Sequence, residues 1–237
     1  LNALSFRHEA FEIEASGDWK VFGNRHESRF DIQLAAPELA PMLASFGYDT
    51  SAVAGAQTRI DISARWDGTP AEFELAKLGG TLDLELTKGS LEDLEPGGGR
   101  LFGLLSLQAL PRRLALDFND LFAEGLAFDR IEGSFELSRG DAYTNDLYLA
   151  GPSARIDVAG RIGLASRDYD QRVTVVPQLS NTFPVASALF GPVGLGVGAA
   201  IYLGGQVFKG IPESVDKMFM EEYSITGSWE DPVVEQI

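Results

Sequence analysis

Apolar and polar residues alternate strictly along most of the chain, as in "FEIEA" from Phe11, "RFDIQLA" from Arg29 and "TRIDISARW" from Thr58. Successive side chains of a strand point to opposite faces, so these runs predict strands with one apolar and one polar face. The pattern continues through "AEFELAKL", "GTLDLELTKG", "RLALDF", "GSFELSRG", "DLYLAG", "ARIDVAGRIGL" and "QRVTVV", with Gly, Asp and Asn where hairpins turn. The spacing predicts an antiparallel meander of roughly ten to thirteen strands in a mainly β fold.

Three stretches interrupt the alternation and predict helical insertions near 38–46, 97–110 and 182–220. The first has Pro37 where an opening turn tolerates it and Gly47 as a stop. The second places Leu101, Leu104, Leu105 and Leu107 at near-helical spacing and closes at Pro111, with Arg112 and Arg113 beside the C-terminal dipole. The third holds "FGPVGLGVGAAIYLGGQVF" from Phe190 and then "PESVDKMFMEEY". No low-complexity linker divides the chain, so residues 1–237 read as a single region.

From Val173 to Phe208 there is no charged residue. On length alone that segment could cross a bilayer, but its glycines weaken a helix and Pro192 breaks it. Only about 16 residues then remain before Lys209, marginal for a hydrocarbon core of ~30 Å. The segment reads as an apolar helix, either packed as protein core or leaning on a membrane.

Charge narrows the partners. The formal net charge is -16, with 35 acids against 19 bases. Phosphate backbones need clustered Lys and Arg, so a nucleic-acid partner is not expected. The absence of cysteine removes thiolate metal sites and disulfides and fits an oxidising compartment. The chain opens at Leu1 with no basic and apolar leader, so it reads as a processed or excised piece.

Enzyme signatures are poor, and no enzymatic activity, metal or cofactor is expected. His8 and His26 lie in strand-like stretches, and no G-x-S-x-G elbow occurs. "DFNDLFAEG" has Leu121 and Phe122 where a calcium loop needs a ligand and a glycine. "GLGVG" within 194–198 lacks the preceding strand and downstream acid of a dinucleotide site. The alternating strands are the informative feature. Their apolar faces either pack against each other in a closed sandwich or are covered by something other than sheet.

At "GGGRLFGLLSLQALPRRLALDFNDLFAEGLAFD", residues 97–129, the chain resembles the C-terminal region of the YhdP proteins, members of the AsmA-like family. The likeness continues through "GPSARIDVAGRI", "YDQRVTVVP" and "ITGSWEDPVVE", over nearly all of residues 70–237. The resemblance implies a periplasmic sheet curved into a U-shaped groove, a β-taco, capped by C-terminal helices. It also implies a parent chain anchored in the inner membrane that conducts phospholipid to the outer membrane, with this region at the distal end. Strands stack ~4.8 Å apart, so about twelve would give a trough near 55 Å long. An acyl chain of about 15 methylenes costs on the order of 12 kcal/mol to pass naked through water, and an apolar floor offsets most of that.

On that reading the groove is lined by Phe73, Leu75, Leu82, Leu84, Leu86, Leu114, Leu116, Phe135, Leu137, Leu147, Leu149, Ile156, Val158, Val173 and Val175. Leu195, Ile201, Leu203 and Phe208 belong to the helix that caps the groove or touches the outer membrane. The expected partners are phospholipid acyl chains, the outer membrane and the remainder of the parent chain. The competing function is a structural or regulatory envelope module that binds proteins along exposed sheet edges.

Overall fold

The computed structural model describes residues 3–51, 53–91, 126–177 and 220–237. Within them the chain forms one antiparallel sheet of 11 strands in strict sequence order. The first five are β1 (Leu4–Arg7), β2 (Glu12–Phe22), β3 (Arg25–Ala36), β4 (Val53–Asp67) and β5 (Gly79–Leu91). Then follow β6 (Leu126–Ser138), β7 (Asp141–Ala150), β8 (Ala154–Gly163), β9 (Asp168–Pro177), β10 (Glu221–Ser228) and β11 (Pro232–Gln236). Each strand pairs with its chain neighbours, and among the described residues β1 does not pair with β11, so the sheet is open rather than a closed barrel. Most neighbours in this meander are joined by short turns, since antiparallel partners need only a hairpin, and the longer connections return the chain beside the strand it left.

A short helix, α1 (Leu39–Ser45), follows β3 and lies within the 38–46 stretch read as helical. It stops where Gly47 takes a φ of +80°, a conformation that costs a glycine little. The Gly47 and Tyr48 amides donate back to the carbonyls of Ala44 and Leu43 and close the last turn. Leu39, Met42 and Leu43 are buried, and α1 packs against β4. The helices expected near 97–110 and 182–220 fall almost wholly outside the described residues.

One stretch departs from its sequence pattern. "AEFELAKL" alternates like a strand, yet it forms the β4–β5 connection as two 3-10 turns, Pro70–Glu72 and Leu75–Lys77. Pro70 favours an opening turn, and Thr69 and Glu72 form a reciprocal capping box, with the Thr69 amide donating to Glu72 Oε2 at 2.8 Å. These local bonds outweigh a weak period-two signal. Phe73 and Leu75 therefore stand off the sheet, 48% and 45% exposed, and are not part of its apolar floor. Phe73 instead meets Trp66 edge to face with ring centroids 5.2 Å apart.

The alternation also breaks inside the strands. Ala56 on β4 and Lys88 on β5 both have left-handed backbones, with φ of 64° and 58°. They sit opposite each other, between the pairs Gly55↔Gly89 and Gln57↔Thr87. The inward face consequently changes parity there, so that Leu86 and Leu91 are both buried although they are five positions apart. An extra residue on β7 between Thr144 and Leu147, opposite the stretch from Glu132 to Glu136 of β6, shifts the phase of β7 by one position, while β6 keeps its own. Gly133 belongs to that irregularity. A Cβ there would lie 2.6 Å from the Leu147 Cα, so only glycine allows the approach.

Candidate functional site

One face of the sheet is apolar along its whole strand order, and register places its side chains in rows that run from strand to strand. Ile13, Leu34, Ile60 and Leu84 are successive partners across β2 to β5. Leu86, Ile131, Leu149, Ile156 and Val175 are successive partners across β5 to β9. Leu147, Val158, Val173 and Tyr223 continue a third row across β7 to β10. Rows of this kind arise because every strand has the same period of two and the pairing is in register.

The structure brings together most of the residues expected to form a floor. Leu86, Phe135, Leu137, Leu147, Leu149, Ile156, Val158, Val173 and Val175 are buried on this face, and Leu82 and Leu84 are partly buried against them. Leu114, Leu116, Leu195, Ile201, Leu203 and Phe208 lie outside the described residues. The sequence reading overlooked Ile131, Ile162, Tyr223 and Ile225, all at 0% exposure on the same face. Their signal was the same alternation, cut short by neighbouring Gly and Asp. It also overlooked the contribution of α1.

Between α1 and the sheet lies a cavity of about 420 Å³. Leu39, Met42, Leu43, Phe46 and Tyr48 form one wall, and Ile60, Leu82, Leu84, Leu86, Phe135 and Leu137 form the floor. Thr58 also lines it, but its hydroxyl is used internally, donating to the Ala56 carbonyl at 3.2 Å. A cavity lined this way suits hydrocarbon, because nothing polar has to be desolvated without return.

The opposite face is charged and solvated. Arg130 Nη1 lies 3.0 Å from Glu132 and 3.3 Å from Glu85, and the Tyr148 hydroxyl donates to Glu132 at 2.8 Å. Arg155 sits 4.5 Å above the Tyr148 ring and pairs with Asp157 at 2.7 Å. The bonds from Tyr148 and Arg130 hold the Glu132 carboxyl below its usual range, which makes it a poor proton donor near neutrality. His8 accepts from the Ala10 amide, and His26 accepts from the Trp19 indole. Both are turn and hairpin contacts. Among the described residues no cluster of His, Asp or Glu could hold a metal ion.

A profile of the YhdP protein family matches residues 1–234. The chain belongs to the YhdP family. The intermembrane phospholipid transporter YhdP of Escherichia coli (strain K12) is 28% identical over 227 residues, covering 95% of this chain and 17% of that protein. The chain thus corresponds to less than a fifth of that relative's length. No solved structure matches it. In this chain the arrangement supplies a long apolar surface backed by a charged one, with α1 standing over part of it. Among the described residues no helix is long and apolar enough to cross a membrane.

Proposed function

We propose that this chain is a periplasmic segment of a phospholipid conduit, in which the apolar sheet face curves as a groove and shields acyl chains passing between inner and outer membranes. It forms the distal end of a longer parent chain whose remainder carries the inner-membrane anchor. The observation that carries the reading is the set of apolar rows running in register from β2 to β10.

The physics needs no catalytic group. Removing a methylene from water stabilises by ~0.8 kcal/mol wherever the apolar neighbour is, so a chain can move along a row without leaving one deep site. Strand spacing sets the step at ~4.8 Å, a small fraction of an extended acyl chain, so new contacts form before old ones are lost. The acidic outer face keeps the polar side in water and discourages adsorption to anionic headgroups. The protein carries lipid and transforms nothing.

Photo-crosslinking tests this. A photoreactive residue at Leu84 captures phospholipid, while one at Asp83 or Glu85 on the charged face does not. Equal capture on both faces would sink the groove.

A second reading has one observation in its favour. Among the described residues no strand pairs with the outer side of β1, and its Leu4 and Phe6 are 53% and 50% exposed, which suits pairing with a further strand. Clean, lipid-free protein after detergent-free purification, together with a co-purified β1 partner, would favour it.

A further inference from the structure

Four polar side chains are buried among the described residues, namely Ser28, Thr58, Thr144 and Gln171. Three are satisfied within the fold. Ser28 donates to the Gly68 carbonyl at 2.9 Å, and Thr58 donates to the Ala56 carbonyl at 3.2 Å. Thr144 donates to Asp146 and accepts from the Leu147 amide, both at 3.2 Å. Gln171 is 3% exposed, and among the described residues neither its Nε2 nor its Oε1 has a partner.

Its position belongs to the apolar face. On β9 the inward residues Tyr169, Gln171, Val173 and Val175 are buried, while Asp170 and Arg172 between them are exposed. Across the strands Gln171 lies opposite Gly160 on β8 and Ile225 on β10. In its own row Thr144 stands on β7, two residues from Ala142 of the α1 cavity wall. Two strand spacings, ~10 Å, separate Gln171 from Thr144, and the two residues on to Ala142 put the end of that cavity about 12 Å away.

An unpaired buried carboxamide is costly, and a leucine in the same slot would remove the cost. Burial also keeps bulk water from supplying the missing bonds. The partner has to be something that enters the apolar face and carries a hydrogen-bonding group with it. We propose that Gln171 is a recognition point for the glycerol-ester level of a diacyl lipid. Its Nε2 donates to an ester carbonyl, and its Oε1 is left to accept from a hydroxyl or ammonium of the same molecule. The hydrocarbon then extends over the apolar rows toward the α1 cavity. The neutral carboxamide suits this task because an ester carbonyl has no charge to balance, and an ionised side chain would oppose passage of the tails. The site makes the face a track with one registered stopping point. It rests on the reading that this face carries acyl lipid.

The test compares two lipids that differ only at the proposed contact. The protein is incubated with vesicles of ester-linked phosphatidylethanolamine, or of its ether-linked counterpart with equal chain lengths. Lipid retained after the vesicles are removed is then counted by mass spectrometry. The wild type retains the ester lipid about three- to tenfold better, the range that one neutral hydrogen bond spans. Gln171→Leu and Gln171→Met bring that ratio to about one, with melting temperatures unchanged or raised. A ratio of one in the wild type, as expected if an ordered water pairs the carboxamide, overturns the proposal. So does a ratio that persists in the variants, or the collapse of both variants, which would mean that Gln171 has a structural partner. Retention of neither lipid overturns it together with the lipid-carrying reading, whereas equal retention of both spares that reading.

Discussion

The two ends of the sheet share one sequence pattern and differ in what covers it. In β2 and β3 the inward positions Ile13, Phe30 and Leu34 are only partly buried, and near the hairpin tip Trp19 and Val21 are 51% and 56% exposed. In β8 to β10 the equivalent positions Ile156, Val173, Val175, Tyr223 and Ile225 are at 0%. Alternation therefore says which side of a strand is apolar, not whether anything lies against it. For a lipid-carrying face the difference matters, because lipid can lie on the open end as it stands, whereas at the closed end, where Gln171 lies, it has to displace packed side chains.

The sharpest way to break this comparison is to place a charge in each end. Val173→Asp leaves an unpaired carboxylate in a fully buried slot and should cost more than ~4 kcal/mol, enough to unfold the sheet. Leu4→Asp, at an exposed edge position, should stay within about 0.5 kcal/mol of the parent. Chemical denaturation of both variants checks it, and equal losses would mean that the two ends are equally packed.

Truncation is gentler. Ile156→Ala should cost about 2–5 kcal/mol through lost contact and a cavity, and Ile13→Ala less than half as much because its slot is already open to solvent. Backbone fit at the irregular centre gives a related loss. Gly133→Ala forces a methyl against Leu147 and should cost about 1–3 kcal/mol in the same denaturation measurement.

The smallest expected effect is electrostatic. At the closed end Arg161 bridges Asp141 and Asp168 at 3.0 and 2.9 Å. Bonds from Arg161 and then Ser166 hold the Asp168 carboxyl below its ordinary value. A depressed carboxylate contributes stability that is complete above its unfolded pKa and is lost as pH falls through the folded one. Because the pair is partly exposed, the contribution should be less than about 1 kcal/mol. Melting curves taken down from pH 5 should fall less steeply in Asp168→Asn than in the parent.

Much of the candidate site was legible because one rule, period two, governs nearly every strand. Leu82, Leu84, Leu86, Leu147, Leu149, Ile156 and Val158 all fall on the face that the rule assigns. The rule failed where local bonding competed with it. At Phe73 and Leu75 a proline and a capping box turned an alternating run into 3-10 turns. At Ala56 and Lys88 left-handed residues moved the inward set by one position, and the neighbouring Gly55 and Gly89 are the only sequence signs of the change. Gln171 was visible as one polar residue in an apolar slot of "YDQRVTVVP", but a strand tolerates such residues wherever a partner is near. Its lack of one appears only once the neighbours are in place.

The architecture was already written in the alternation: many alternating strands, most of them joined by tight turns, have few options other than an antiparallel meander, and the apolar half of each must share one face. The sequence also determined where α1 stops, because Gly47 takes the left-handed turn at little cost. Tertiary structure decided the rest. Register aligned separate alternations into rows that cross the sheet, and the placement of α1 made a cavity over β4 to β7. Packing closed one end while leaving the other open. These outcomes depend on contacts between residues far apart in the chain, and a periodicity confined to one strand carries no information about them.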